Sequence, residues 1–189
     1  MRRASALLVA VALALSVWTV GVSRAQEPSP PGTPAKAAPA TAPEAPVTVK
    51  TGETVESMDY DGLMRYIIAA KGKVVVVTFW ATWCGPCLKE LPGLMRLRDM
   101  LPRETVAFVA VSLDYDPAAM RAFLARRPLN FPAFLAGQDL MDLLRIQAIP
   151  RTMLYDANGL QVQNKEGYLP AEELEPLIQG LLAEKGPRP

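Results

Sequence analysis

Histidine is absent from this chain, and cysteine occurs only twice in 189 residues. A zinc or iron–sulfur site needs about four soft ligands. Two cysteines without histidine exclude such a site unless two chains share it. Covalent haem attachment needs a histidine directly after the second cysteine, and Leu88 stands there instead. No metal or other cofactor is expected. An excess of charge of one sign is also lacking: the formal net charge is +1. Arg2, Arg3 and Arg24 are the only charged residues before position 26, so the remainder carries −2. No basic stripe with interleaved aromatics appears, which argues against a nucleic-acid partner.

What is present centres on residues 74–99. Val74 to Phe79 is an apolar, β-branched run that predicts a buried strand. Leu88, Leu91, Leu94, Met95 and Leu97 follow at a spacing that predicts one side of a helix. Between them lies Trp83-Cys84-Gly85-Pro86-Cys87. A strand entering a helix through C-x-x-C is the pattern of a redox dithiol.

A helix N-terminus has unpaired N–H groups and a partial positive charge. A cysteine there ionises more readily, and only a thiolate attacks a disulfide. That makes Cys84 the candidate nucleophile. Cys87, one turn along on the same face, is the candidate resolving thiol. Pro86 suits the first turn, where the N–H it lacks has no partner, and Gly85 permits close approach by a substrate backbone. A purely structural disulfide is the other reading of the pair. It would close a loop of only a few residues, with little stabilising effect.

The run Phe79-Trp80-Ala81-Thr82-Trp83-Cys84-Gly85-Pro86-Cys87 resembles the active-site segment of thioredoxins. Continued through Leu88-Lys89-Glu90-Leu91-Pro92, it resembles the TlpA/ResA branch of exported thioredoxin-like proteins. Pro92, eight residues past Cys84, stands where thioredoxins carry a helix-kinking proline. The resemblance extends over about residues 47–184. It implies an α/β thioredoxin-like fold: a central mixed β-sheet flanked by helices, with an inserted helix-plus-strand segment.

The N-terminus reads as an export segment. A basic Met1-Arg2-Arg3 precedes the uncharged run Ala4 to Val22, and Ser23-Arg24-Ala25 offers small residues at a cleavage site. Residues 1–25 are therefore a signal peptide, or a retained N-terminal membrane anchor, since 19 residues just suffice to span a bilayer. Either places the remainder outside the cytoplasm, in the periplasm or an equivalent compartment. Residues 26–46 hold seven prolines and six alanines and predict an extended linker. Residues 47–189 are of ordinary size for one domain.

Within that domain, Asp59 to Ala70 predicts a helix with Leu63, Met64, Ile67 and Ile68 on its core side. Thr105 to Val111 predicts a strand parallel to Val74–Phe79. Asp116 reads as an N-cap with Pro117 at the first helical position, opening a helix over Ala118 to Arg127. Leu129 to Leu135 reads as a weak extended segment and Asp139 to Ile146 as a short helix. Asn158-Gly159 predicts a hairpin between Thr152–Tyr155 and Leu160–Gly167. Pro170 to Leu182 closes the domain as a helix that Pro176 should kink or delay.

The resemblance also supplies roles. It implies that the Ile149–Pro150 peptide is cis and packs beside the dithiol. Ile149 would then offer its main chain to a substrate segment, strand-fashion. With Trp83, Gly85 and Pro86 these are the candidate substrate-binding residues. Thr78, two residues before Trp80, stands where thioredoxins carry a buried aspartate. Glu90, three residues past Cys87, matches the acidic position of the TlpA/ResA pattern and shares its helical face. It is either a proton-transfer group for Cys87 or a solvated surface glutamate.

The activity expected is that of an exported thiol–disulfide oxidoreductase, a monomer acting on protein disulfides. Gly85-Pro86 resembles reducing thioredoxins rather than strongly oxidising relatives, which favours disulfide reduction. A reductase outside the cytoplasm needs an electron donor, expected to be a membrane thiol protein. By resemblance, the substrates would be apocytochrome c or a copper-site assembly protein. The alternative is a Cu(I)-binding chaperone using the same two thiolates; a third reading is an adaptor with a vestigial dithiol.

Overall fold

The computed structural model describes residues 55–184. The N-terminal segment 1–25 and the linker 26–46 lie outside the described residues, as do 47–54 and 185–189. No helix among the described residues is long and apolar enough to cross a membrane. The elements in chain order are β1 (Ser57–Met58), α1 (Tyr60–Ala69), β2 (Val74–Trp80), α2 (Gly85–Met100), β3 (Val106–Ser112), α3 (Pro117–Arg126), β4 (Ala133–Ala136), α4 (Gln138–Leu143), β5 (Arg151–Tyr155), β6 (Gln161–Glu166) and α5 (Ala171–Ala183).

All six strands join one mixed sheet in the order β1-β4-β3-β2-β5-β6. The first four run parallel, and β5 and β6 are each antiparallel to the preceding strand in that order. Every residue of β2 and β3 is buried. Helices cover both faces of these strands, so neither needs a polar side and both read as continuous apolar runs. Alternate residues of β2 serve different cores. Val74, Val76 and Trp80 face the layer of α2, α3 and α5 with both cysteines; Val75, Val77 and Phe79 face α1 and α4. The segment α3–β4 is the expected inserted helix-plus-strand, with β4 pairing parallel to β3.

The helix starts follow side-chain capping. Asp59 Oδ1 accepts the Gly62 N–H at 2.6 Å, and Asp116 Oδ1 accepts the Ala118 N–H at 2.8 Å. Arg98, near the end of α2, is a buried cation. Its guanidinium donates to the carbonyls of Val106 and Leu101 and lies over the Phe108 ring, 5.4 Å from its centroid.

Several expectations need correction. Ile68 is largely exposed, because α1 turns Leu63, Tyr66 and Ile67 inward instead. The predicted helix to Ile146 ends at Leu143; Arg145 takes a positive φ of 49°, which stops the helix. The predicted hairpin does form, β5 pairing antiparallel with β6. Asp156 organises it by accepting the N–H groups of Asn158 and Leu160 at 2.9 Å each, and only Gly159 has positive φ, at 82°. Helix α5 starts at Ala171 and runs through Pro176, so that proline does not delay it. Strand β1 has no strong sequence signal. It is two residues long and owes its form to pairing with β4.

Candidate active site

Strand β2 ends at Trp80, and after the three residues 81–83 the chain turns into α2 at Cys84. Cys84 is the N-cap of that helix; its backbone N–H donates to Ala81 O at 3.1 Å, and its Sγ accepts the Cys87 N–H at 3.2 Å. Cys84 and Cys87 form a disulfide, S–S 1.98 Å. The two sulfur residues differ in access: Cys84 is 6% exposed and Cys87 1%. Gly85 and Pro86 are exposed in the first turn, and a Cβ placed on Gly85 would meet no atom within 4 Å. Pro92 lies inside α2.

Two segments distant in sequence join the helix tip. The Ile149–Pro150 peptide is cis. Exposed Trp83 and half-buried Ile149 line one groove, together with Leu113, Tyr115 and Met141. Pro150 is buried at the start of β5, with its carbonyl accepting the Gly167 N–H at 2.8 Å. Arg151 pins the preceding turn by donating to Arg145 O at 2.9 Å, and its Nε donates to Asn164 Oδ1 at 2.8 Å.

One turn beyond Cys87, Glu90 is 3% exposed, so it is not a solvated surface residue. Its Oε1 accepts a hydrogen bond from Thr152 Oγ1 at 2.9 Å. Its Oε2 is buried without a hydrogen-bond partner among the described residues. Burial holds the Glu90 carboxyl above the usual carboxylate range. The Thr152 hydroxyl and, more weakly, the nearby Leu169 amide pull the other way without cancelling it. Thr78, also buried, is the direct cross-strand partner of Thr152. Directly opposed residues share a sheet face, so both threonines lie on the side of α2.

Two polar residues of this region escaped the sequence reading. Thr152 is far from Glu90 in the chain, and only strand pairing brings it there. For Asp114 the one signal in the sequence is its place two residues after Ser112, just past the end of an apolar strand. Its carboxylate accepts from Thr82 Oγ1 and Ser112 Oγ, both at 2.6 Å, and from the Thr82 N–H at 3.1 Å.

A disulfide at a helix tip, with a cis peptide in the same region and a buried carboxylate one turn along the helix, is the geometry of the site. The Redoxin family model matches residues 50–176. The chain belongs to the Redoxin family. This redoxin is 30% identical over 167 residues to the sporulation thiol-disulfide oxidoreductase A of Bacillus subtilis, covering 86% of this chain and 89% of that protein. It is 29% identical over 139 residues to the thiol-disulfide oxidoreductase ResA of Bacillus thuringiensis, covering 73% and 75%. The crystal structure of StoA from Bacillus subtilis superposes with a TM-score of 0.52 at 32% identity, over 58% of this chain and 84% of that one. A putative thiol:disulfide interchange protein DsbE from Chlorobium tepidum gives 0.55 at 32%, over 64% and 85%. The fold is thioredoxin-like, and this redoxin is a thiol–disulfide oxidoreductase of the TlpA/ResA type.

Proposed function

We propose that this redoxin reduces disulfides in proteins outside the cytoplasm, with Cys84 as nucleophile and Cys87 as resolving thiol. The observation that carries this reading is the asymmetry of the pair: Cys84 caps the helix and is the less deeply buried residue, while Cys87 is enclosed one turn before a buried Glu90. In the reduced form the Cys84 thiolate attacks one sulfur of a substrate disulfide. The substrate S–S bond breaks, a Cys84–substrate disulfide forms, and the other substrate sulfur leaves as a thiolate. Cys87 then loses its proton and attacks Cys84 Sγ. The second substrate sulfur departs, and the Cys84–Cys87 disulfide remains. Two electrons have passed to the substrate.

Glu90 is the base for the second step. Its burial makes the carboxylate a stronger base than an exposed glutamate, and it sits one turn from Cys87 on the same face. Thr78 cannot do this, because a hydroxyl does not ionise near neutrality. Trp83, Gly85, Pro86, Ile149 and cis-Pro150 form the surface on which the substrate segment lies, with the Ile149 main chain pairing to it. Return to the dithiol needs an electron donor, for which a membrane thiol protein fits the compartment read from residues 1–25. Exported thiol proteins such as apocytochrome c or a copper-site assembly protein fit as substrates.

Cys87→Ser tests this reading. The variant is expected to hold its natural substrate covalently at Cys84, recoverable on a non-reducing gel and identifiable by mass spectrometry. A Cys87→Ser protein that leaves Cys84 as a free thiol in the presence of disulfide-bearing polypeptides would reject it.

A further inference from the structure

Asp114 makes no hydrogen bond to either sulfur, yet it joins the two loops that carry three residues of the groove, Trp83, Leu113 and Tyr115. It is buried. Through Thr82 it holds the β2–α2 loop, one residue before Trp83; through Ser112 it is anchored to the end of β3. Its own N–H donates to Ser112 Oγ at 3.1 Å, and the neighbouring Leu113 N–H donates to Trp80 O at 2.7 Å. Leu113 and Tyr115 flank Asp114 in sequence, and with Trp83 they are part of the lining of the groove. Tyr115 is 91% exposed, so no packing of its own ring keeps it there; the backbone on which it stands does. Met141, Ile146, Gln147, Ala148 and Ile149 complete the lining. The groove has a volume of about 380 Å³ and no charged residue in its lining. A substrate held covalently at Cys84 must lay the residues flanking its own cysteine over the adjoining surface. A charge-free, mostly apolar surface suits an aliphatic or aromatic side chain there.

We propose that Asp114 is a positioning residue for substrate selection. Acting through Thr82, it fixes Trp83, Leu113 and Tyr115 as part of the lining of a groove that receives an apolar side chain next to the reactive cysteine of a polypeptide. The inference rests on the proposed reductase reading and adds to it the class of segment preferred. Loss of the Thr82 hydroxyl removes the shortest of the three Thr82–Asp114 bonds and leaves only the weaker backbone N–H bonds, which loosens the Trp83 loop against the Tyr115 loop and relaxes the groove.

The test uses two peptides with the same disulfide, one with phenylalanine and one with glycine beside the attacked cysteine. kcat/KM is measured for each with the full chain. The natural protein should prefer the phenylalanine peptide by about tenfold or more, the range that one apolar side chain commands in a fitted pocket. Thr82→Val and Asp114→Asn should each bring that ratio toward one, and Thr82→Ser, which keeps the hydroxyl, should preserve it. A general structural defect would lower both rates together and leave the ratio intact. An unchanged ratio in Thr82→Val, or no preference in the natural protein, overturns the inference. Should Asp114→Asn fail to fold, Thr82→Val carries the test alone. If the natural protein reduces neither peptide, the reductase reading itself falls.

Discussion

Thr152 and Glu90 are 62 residues apart in the chain, and a buried hydrogen bond of 2.9 Å joins them beneath the disulfide. One residue comes from the strand that follows the cis-proline, the other from the helix that the cysteines open. The bond ties the two parts of the site together through a carboxylate whose second oxygen is unpaired among the described residues. Burial disfavours the charged form of this carboxyl more than its hydrogen bonds favour it, which is why its pKa is raised.

Burial of Glu90 has a stability consequence with a definite sign. Its folded-state pKa lies above the unfolded value, so the folded protein holds this proton more tightly. The contribution is fully present below the unfolded pKa and is lost as pH rises through the folded one. Glu90→Gln keeps an acceptor for Thr152 and carries no charge. The oxidised variant should therefore melt higher than the natural protein at pH 7, with the gap closing toward pH 4. Thermal melts across that range check it; a variant less stable at every pH would contradict the assignment.

The same substitution should act oppositely on turnover. Without a base beside it, Cys87 deprotonates more slowly, and the Cys84–substrate intermediate should persist. An unassisted thiol has a pKa near 8.5, so the deficit should be about tenfold or more at pH 6.5 and should shrink above pH 9. Rapid-mixing measurement of intermediate decay reads this directly. A deficit independent of pH would remove the proton-transfer role.

Thr152→Val removes the hydroxyl and keeps the shape. The hydroxyl is the larger of the two influences that lower the Glu90 pKa, so its loss should move that pKa further up. An infrared or carbon-13 titration of the Glu90 carboxyl in the oxidised protein should register the rise. No movement would mean that the bond does not form in solution.

Arg98 should matter for stability and not for thiol chemistry. Replacing it with methionine keeps the apolar stem but leaves the Val106 and Leu101 carbonyls without their charged donor. A loss of about 3 kcal/mol is expected from two such buried bonds. Urea unfolding of the oxidised protein measures it, and a change under about 0.5 kcal/mol would fall in the range of surface substitutions.

The sequence alone determined the parts of this protein whose causes are local. Val74–Phe79 had to be a buried strand because it is apolar on both faces, and Cys84-Gly85-Pro86-Cys87 had to open a helix because Pro86 is compatible with a first turn. Asp116 before Pro117 located the start of α3 for the same kind of reason. Tertiary structure decided everything that depends on what lies opposite. Glu90 has the same spacing from Cys87 whether it is solvated or enclosed; the strand after Pro150, lying against α2, made it buried. Thr152 became its partner through a strand register, and Asp114 became the tie between two loops through the parallel pairing of β2 with β3. Strand β1 exists only because β4 has a free edge. Periodicity and capping are written in neighbouring residues, whereas burial and cross-strand bonding are set by segments that only folding brings together.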